Sequence, residues 1–259
     1  MRYPQASAVN TNKGVSIMRH LRAVLLIIGF FTHVAAIADS RPTITVGYYD
    51  FPPVSYTDKQ GTPQGSFVQL CRTLLTSKGY RVIFKDLPSA RLYANIISGD
   101  IDIWLGAPGK PALAGHVLES SLYLGEASLA LFYHPDAPAP KLPNDLKDKK
   151  IILINGYSYW PPATQWLADN ALNLQVTRTS QHSSAIAMLM RKRGDYLLDY
   201  LSPIQAAQQE LGINGLRLPY ILINSTPLAF VISRKSAQPE QLLKDLEQAY
   251  TSYKARPLH

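Results

Sequence analysis

The stretch TITVGYYDFPPVSYTDKQGTPQGSFVQLC, residues 43–71, decides how this chain folds. Apolar and polar residues alternate from Ile44 to Tyr48, which predicts a strand with one buried face. Pro52 and Pro53 end this strand, because proline has no N–H group to donate to a sheet. The turn that follows lies at the carboxyl end of the strand, where open α/β sheets bind their ligands. We therefore expect this turn to form one wall of a binding cleft.

The second half of the stretch predicts a tight turn and then a helix. The sequence DKQG at 58–61 contains the residues that favour a turn. After Gly65, apolar residues recur at the spacing of one helix face, and Gly79 is placed to cap the helix end. These apolar residues are Phe67, Leu70, Cys71, Leu74 and Leu75.

The composition is that of a globular protein and predicts no cofactor. Of the 259 residues, 46% are apolar and 17% are charged, which allows a substantial core. The single cysteine, Cys71, excludes an intramolecular disulfide and a cysteine-rich zinc site. None of the six histidines has the spacing of a metal-ligand pair, and there is no glycine-rich phosphate loop. We therefore predict neither a cofactor nor a metal site.

The N-terminal segment predicts export. Arg19 and Arg22 precede an apolar run at 23–38, which ends in the small-x-small sequence AIA. This pattern predicts a signal peptide over residues 1–38, cleaved after Ala38. Removing it takes the formal net charge from +8 to +4, because the segment holds four basic residues and no acidic one. The remaining basic residues are scattered, so we predict no nucleic-acid partner.

The pattern of strands and helices after the first helix predicts two α/β halves. A proline-rich segment at 134–145 separates them. Predicted strands are 81–84, 101–106, 128–133, 151–155, 174–177, 196–200 and 227–233. Predicted helices follow Pro88, cover 161–172, run through 185–190, cover 203–211 and end the chain. Periodicity alone leaves open which half receives the last strand and helix.

Six segments in this order resemble the extracellular solute-binding proteins of family 3, the polar amino-acid binding components of ABC transporters. They read ITVGYYDFPPVSY, GTPQGSFVQL, GDIDIWLGA, KKIILINGYSYW, RGDYLLDY and TPLAFVISR, and the resemblance covers about residues 43–255. It implies a two-lobed, type II periplasmic-binding-protein-like α/β fold, with each lobe a sheet flanked by helices and with two crossing strands. The implied division is 39–131 for lobe 1, 132–224 for lobe 2 and 225–259 for a return to lobe 1. A hinge near 132–135 and 222–226 is also implied.

The resemblance implies an anion site in lobe 1, but one family residue is missing there. The loop after residue 106 normally carries an arginine that binds the ligand α-carboxylate through two parallel hydrogen bonds. Leu113 stands at that place here, with Lys110 nearby. Arg91 lies in the first turn of a predicted helix, where a cation opposes the helix dipole. It fits either an anion-binding residue or an ordinary surface arginine.

Further candidate residues lie at the ends of predicted strands. In lobe 2, the resemblance places Tyr157 and Ser158 at a helix N-terminus that receives a carboxylate. It also places Asp199 beside a ligand ammonium, although this acid fits a helix N-cap as well. In lobe 1, Asp50 fits either a ligand contact or a cap of the double-proline turn. Aromatic residues crowd both walls, which favours a ligand that can stack. The predicted ligand-binding residues are Tyr49, Asp50, Tyr56, Arg91, Tyr157, Ser158, Tyr159 and Asp199.

Together these patterns predict a periplasmic, monomeric solute-binding protein and not an enzyme. It closes on a small polar or aromatic-bearing metabolite, amino-acid-like compounds included, for ABC import through a membrane permease. One alternative is a periplasmic sensor that reports the ligand to a signalling protein, which the missing arginine motivates. Another is a dehydratase-type enzyme, since Asp50 or Asp199 with Arg91 resembles an acid facing an anion clamp.

Overall fold

Two five-stranded sheets organise this protein. The computed structural model describes residue 1 and residues 42–213, 215 and 218–255. The strands of this part are β1 (Thr43–Tyr48), β2 (Tyr56–Thr57), β3 (Pro63–Gln64), β4 (Arg81–Asp86), β5 (Ile103–Gly106), β6 (Val117–Glu119), β7 (Glu126–Tyr133), β8 (Lys150–Ile154), β9 (Gln175–Thr179), β10 (Tyr196–Tyr200), β11 (Tyr220–Pro227) and β12 (Ala229–Ser233). The α-helices are α1 (Ser66–Ser77), α2 (Ser89–Ser98), α3 (Ala163–Ala168), α4 (His182–Met190), α5 (Leu201–Glu210) and α6 (Pro239–Lys254).

The first sheet has the strand order β4-β1-β5-β12-β6. Strand β1 pairs in parallel with β4 and β5, while β12 pairs antiparallel with β5 and β6. The apolar faces of α1 and α6 share one core cluster with β1 and β12. The apolar face of α2 packs in a separate cluster with Trp104 and Val231. Both faces of the sheet are therefore covered, and we call this sheet with its helices lobe 1.

The second sheet has the order β11-β7-β10-β8-β9. Helices α4 and α5 share a core cluster with residues of β7, β8 and β10. A second cluster contains Ala163 of α3 together with other residues of the same three strands. Strand β10 is buried along its whole length, as expected for a central strand covered on both faces. We call this sheet with its helices lobe 2.

The chain passes between the sheets twice, after β6 and after β11. The two crossing segments are hydrogen-bonded to each other. The Leu124 N–H donates to the Leu228 carbonyl oxygen at 3.0 Å, and the Leu228 N–H donates to the Gly125 carbonyl oxygen at 2.8 Å. Gly125 has φ +138°, a backbone conformation that favours glycine. The lobe boundaries predicted at residues 132 and 225 remain predictions.

Two predicted elements are divided in the structure. The helix expected over 161–172 is α3 followed by a 3₁₀ turn at Asn170–Leu172. Asp169 separates them, because its backbone is extended and its carboxylate accepts the Ala171 N–H at 2.9 Å. The strand expected over 227–233 is the end of β11 and the whole of β12, since Leu228 between them is in the crossing.

The predicted signal peptide at 1–38 and its cleavage after Ala38 lie outside the described residues, apart from Met1. Within the described part of the chain, none of the helices has the length and apolar character needed to cross a bilayer.

Candidate functional site

The two lobes touch each other directly across the cleft. The Ser89 hydroxyl, at the start of α2, donates to the Gly156 carbonyl oxygen at 2.5 Å. The Ser158 hydroxyl oxygen lies 3.0 Å from the Tyr93 hydroxyl oxygen and accepts a hydrogen bond from the Lys110 ammonium at 3.3 Å. Lobe 1 supplies one partner of each contact and lobe 2 the other, so the lobes are closed in this structure.

Lys110 lies between aromatic rings from both lobes. Its Nζ atom is 5.1 Å from the ring centre of Tyr93 in lobe 1 and 4.5 Å from that of Trp160 in lobe 2. Both distances suit cation–π attraction. Burial lowers the pKa of the Lys110 ammonium, because the charged form loses hydration. Leu113, three residues further on, is fully buried in the lobe 1 core and does not face the cleft.

Aromatic rings fill the centre of the interface. Phe51 of lobe 1 is only 6% exposed, because it packs into the core cluster of lobe 2. Its ring centre is 5.8 Å from that of Tyr157 and 5.2 Å from that of Tyr200. Tyr49 lies 5.8 Å from Tyr157 and 6.3 Å from Trp104. Burial raises the pKa of the Tyr49 and Tyr157 phenols well above their ordinary value, so both rings stay neutral.

A chain of hydrogen bonds leads from the interior of lobe 2 to lobe 1. The Asp199 carboxyl is completely buried, and its Oδ2 atom is 2.7 Å from Nδ1 of His182. The Nε2 atom of His182 is 3.0 Å from the Tyr157 hydroxyl, which donates to the main-chain oxygen of Asp50 at 2.8 Å. Burial raises the pKa of the Asp199 carboxyl, although its hydrogen bonds from His182 and from the Tyr200 N–H oppose this shift.

An open groove lies beside these hydrogen-bonded residues, between the β2–β3 hairpin of lobe 1 and helices α4 and α5 of lobe 2. Its volume is about 670 Å³, within the range of small-molecule pockets. Its titratable lining residues are Asp50, Tyr56, Asp58, Lys59, His182 and Glu210. Three of these residues are acidic, so acidic groups outnumber basic ones along the groove. The pKa of the Asp50 carboxyl is raised, mainly by desolvation; nearby His182 opposes this shift and Asp86 adds to it.

The structure brings together some of the residues predicted from the sequence and separates others. Those at the meeting face of the lobes or in the groove are Tyr49, Asp50, Tyr56, Tyr157 and Ser158. Arg91 is exposed on α2 and has no hydrogen-bond or ion-pair partner among the described residues.

Two predicted ligand contacts point into lobe 2. The Tyr159 hydroxyl accepts the Ile154 N–H at 3.0 Å, and its ring stacks on Tyr200. Tyr159 is therefore part of the lobe 2 core. The Asp199 carboxylate is occupied by His182 and has no exposed surface. Neither side chain faces the cleft in this conformation.

His182 is a residue of this region that was not predicted from the sequence as a site residue. It lies on the same face of α4 as Ala185, Ile186 and Leu189, at helical spacing, and is 5% exposed. A histidine on the buried face of a predicted helix needs a polar partner inside the protein. That spacing was visible in the sequence, but its partner on β10 was not.

The fold can be compared with known proteins. A family model described as bacterial extracellular solute-binding proteins, family 3, matches residues 44–255. The chain belongs to this family. The family is one of extracellular solute-binding proteins, which supports a ligand-binding role for this solute-binding protein. No curated protein sequence matches it significantly.

Solved structures resemble this solute-binding protein in fold. An ancestral arginine-binding protein bound to arginine has a TM-score of 0.66 and 21% identity over 83% of this chain and 93% of that chain. A histidine kinase sensor domain similar to periplasmic binding proteins has a TM-score of 0.65 and 19% identity over 83% and 92%. An ancestral amino-acid-binding protein, AncCDT-1, described as a precursor of cyclohexadienyl dehydratase, has a TM-score of 0.63 and 21% identity over 82% and 89%. These likenesses confirm the predicted two-lobed α/β fold.

Proposed function

We propose that this chain is a periplasmic solute-binding protein, exported by its first 38 residues, that closes on a small polar or aromatic-bearing metabolite and delivers it for ABC import. The observation that carries the proposal is the closed interface, with the groove of about 670 Å³ between the lobes. A ligand in that groove contacts both lobes, and contacts made only in the closed state favour closure. A membrane permease then recognises the closed monomer.

The ligand is not held as a standard α-amino acid. In the family, an arginine binds the α-carboxylate and an acid binds the ammonium. Here Leu113 takes the arginine position and is buried in the core, while the acid, Asp199, is bonded to His182. Both zwitterion contacts are therefore absent from the cleft. The groove instead offers the Asp50 carboxylate and the Tyr56 ring, which suit a cationic group and a flat apolar group.

Calorimetry with a panel of polar and aromatic metabolites, combined with small-angle scattering, tests this function. We expect one compound class to bind with micromolar or tighter affinity and to narrow the spread of conformations. Free α-amino acids without an additional cationic or aromatic group should bind at least about tenfold more weakly, because the two charge contacts are missing. A panel in which no compound binds and none changes the scattering profile argues against the proposal.

A role in sensing is the second candidate, favoured by the missing carboxylate clamp. A sensor reads the same closure, but its partner is a signalling protein rather than a permease. The position of the gene separates the two roles: neighbouring permease and ATPase genes favour import, and a neighbouring signalling enzyme favours sensing.

We propose further that the chain is not an enzyme. The dehydratase alternative needs an acid in the cleft opposite an anion clamp. Asp199 is unavailable in this conformation because it is bonded to His182, and the other candidate acid, Asp50, lies in a groove that Arg91 does not line. Incubation with prephenate should give no product, and detectable turnover would overturn this assignment.

A further inference from the structure

Tyr157 joins the two lobes through a single hydrogen atom. Its hydroxyl oxygen is 2.8 Å from the main-chain oxygen of Asp50 in lobe 1 and 3.0 Å from Nε2 of His182 in lobe 2. A carbonyl oxygen only accepts hydrogen bonds, and a phenol has one hydrogen to donate. Tyr157 therefore donates to Asp50. The contact with His182 is then a hydrogen bond only if Nε2 carries a hydrogen and donates it to the phenol oxygen.

The other side of the imidazole needs a second proton. The Nδ1 atom of His182 lies 2.7 Å from Oδ2 of Asp199, so a proton lies between these two atoms. A neutral imidazole beside a carboxylate supplies one proton to this pair, but the two contacts need two. The pair thus carries no net charge, either as imidazolium with carboxylate or as imidazole with carboxylic acid. A neutral pair suits a carboxyl that is fully buried.

We propose that the His182–Asp199 pair is a proton-operated latch on lobe closure. When the pair releases one proton to solvent, the remaining proton stays between Nδ1 and Oδ2, and Nε2 becomes an acceptor. The single hydrogen of Tyr157 then serves either His182 or Asp50, but not both. The bond across the cleft competes with a bond inside lobe 2, and the closed form is weakened.

The number of protons on the His182–Asp199 pair sets the direction of the pH effect. The closed form needs two protons on this pair, whereas the open form can release one of them to water. The closed form therefore binds this second proton more tightly. Rising pH therefore favours opening. Burial raises the pKa of the Asp199 carboxyl, which agrees with a proton held at this pair.

Other charged groups face the same region and have to be separated from the latch. The Asp50 carboxylate, from the loop after β1, is close enough to His182 for the imidazole to lower the pKa of this carboxyl. Asp58 and Lys59 of the hairpin and Glu210 of α5 line the groove that His182 also lines. The acidic members of this set favour the protonated pair. The latch rests on the proposed function in one respect: both require the lobes to open and close. The latch requires no bound ligand.

The latch is tested with the full chain, free of ligand, labelled at one cysteine in each lobe. Ile83 in lobe 1 and Val176 in lobe 2 are 46% and 43% exposed and suit labelling after substitution by cysteine. Cys71 is buried and will not react. Fluorescence energy transfer then reports the ratio of closed to open protein between pH 5 and pH 9. We expect this ratio to fall about fivefold as pH rises, the effect of losing one typical hydrogen bond.

Three variants separate the latch from other causes. Tyr157→Phe keeps the ring but removes the shared hydrogen, so it should lower the closed fraction and abolish its pH dependence. Ser89→Ala removes the hydrogen bond to Gly156, which involves no titrating group. It should lower the closed fraction at every pH and keep the dependence. Asp50→Asn keeps the main-chain acceptor, so the pH dependence of the closed fraction should remain.

Each outcome decides the proposal. A closed fraction of the parent chain that does not change with pH overturns the latch. The latch is also overturned if Tyr157→Phe leaves the pH dependence of the closed fraction unchanged, or if Asp50→Asn abolishes it. Closure induced by a metabolite at a single pH is measured separately with the same labels. Failure of the latch is therefore distinguishable from failure of the solute-binding function.

Discussion

Leu113 occupies the place of the family's arginine, but its surroundings do not suit a charge. The side chain is fully buried in a cluster with Leu92, Ile96 and Trp104. It lies in a 3₁₀ turn at Pro111–Leu113, which directs it away from the cleft. A single substitution therefore does not restore an amino-acid site.

Leu113→Arg should lower the free energy of unfolding by about 3 kcal/mol or more, because the guanidinium would be buried without a partner. Urea denaturation measures this loss. Leu113→Met, with a similar volume, should cost less than about 1.5 kcal/mol. An arginine variant that is as stable as the parent and binds α-amino acids would contradict this interpretation.

Tyr56 lines the groove from lobe 1 and is a proposed ligand contact. Tyr56→Ala should weaken binding of the metabolite found by calorimetry about tenfold, the value of one aromatic contact. The free energy of unfolding should change by less than about 1 kcal/mol, because the side chain is only half-buried. Tyr123→Ala is the matched control, since Tyr123 is 63% exposed and does not line the groove. Equal affinities for the two variants would remove Tyr56 from the site.

Residue roles were harder to predict than residue positions. Asp199 was expected at the end of a strand, and it is in β10. Alternation along a strand tells which residues share a face, but β10 is buried on both faces, so its pattern does not distinguish the cleft from the core. The partner that fixes the role of Asp199 is 17 residues away in the chain. Only the packing of α4 on the sheet brings them together.

Whole elements were predicted well where apolar periodicity is strong. α1 and β10 were expected close to where they occur, since Gly79 and the flanking turns mark their limits. β11 was not expected from YILINSTP, because its burial alternates on either side of Ile223 and Asn224 but changes phase between them. This strand pairs along one edge only, with β7, and its register shifts between Leu222 and Asn224. Such irregular edge strands have no regular sequence signature.

Gly125 is the position in the crossing segments where backbone conformation limits substitution. A Cβ atom there would meet no neighbour within 4 Å, so the cost of alanine comes from φ +138° alone. We expect Gly125→Ala to lower the free energy of unfolding by about 1–3 kcal/mol. Thermal or urea denaturation measures this change.

Gly215→Ala provides the control, because Gly215 is equally uncrowded and its φ lies outside the glycine-favoured range. It should be close to neutral. Equal losses of stability at the two positions would show that the conformation of Gly125 carries no strain.

At the scale of the whole molecule, the buried tyrosines limit stability in alkaline solution. Burial raises the pKa of Tyr93 to about 12 and raises those of Tyr159 and Tyr200 further. In the unfolded chain these phenols titrate near their ordinary value of about 10. The unfolded state therefore releases protons that the folded state retains, and stability falls as pH rises above that value.

We expect the free energy of unfolding to fall above pH 10 by about 1.4 kcal/mol per pH unit for each fully buried tyrosine. Absorbance of phenolate and circular dichroism, recorded together, measure the effect. Phenolate from these residues should appear in the same cooperative step as the loss of secondary structure. Ionisation of all tyrosines before unfolding would contradict the burial described above.

The pairing of Pro227 with Glu126, at the ends of β11 and β7, has a consequence for how this architecture can be assembled. The segment from 126 to 227 begins and ends at neighbouring points, so it is attached to the rest of the chain like an insertion in a loop. The two core clusters of lobe 1 are built only from residues before and after this segment. A short turn from Gly125 to Leu228 would close lobe 1 without stretching its backbone. The fold thus permits the segment from 126 to 227 to be replaced as a unit without interrupting the core of lobe 1.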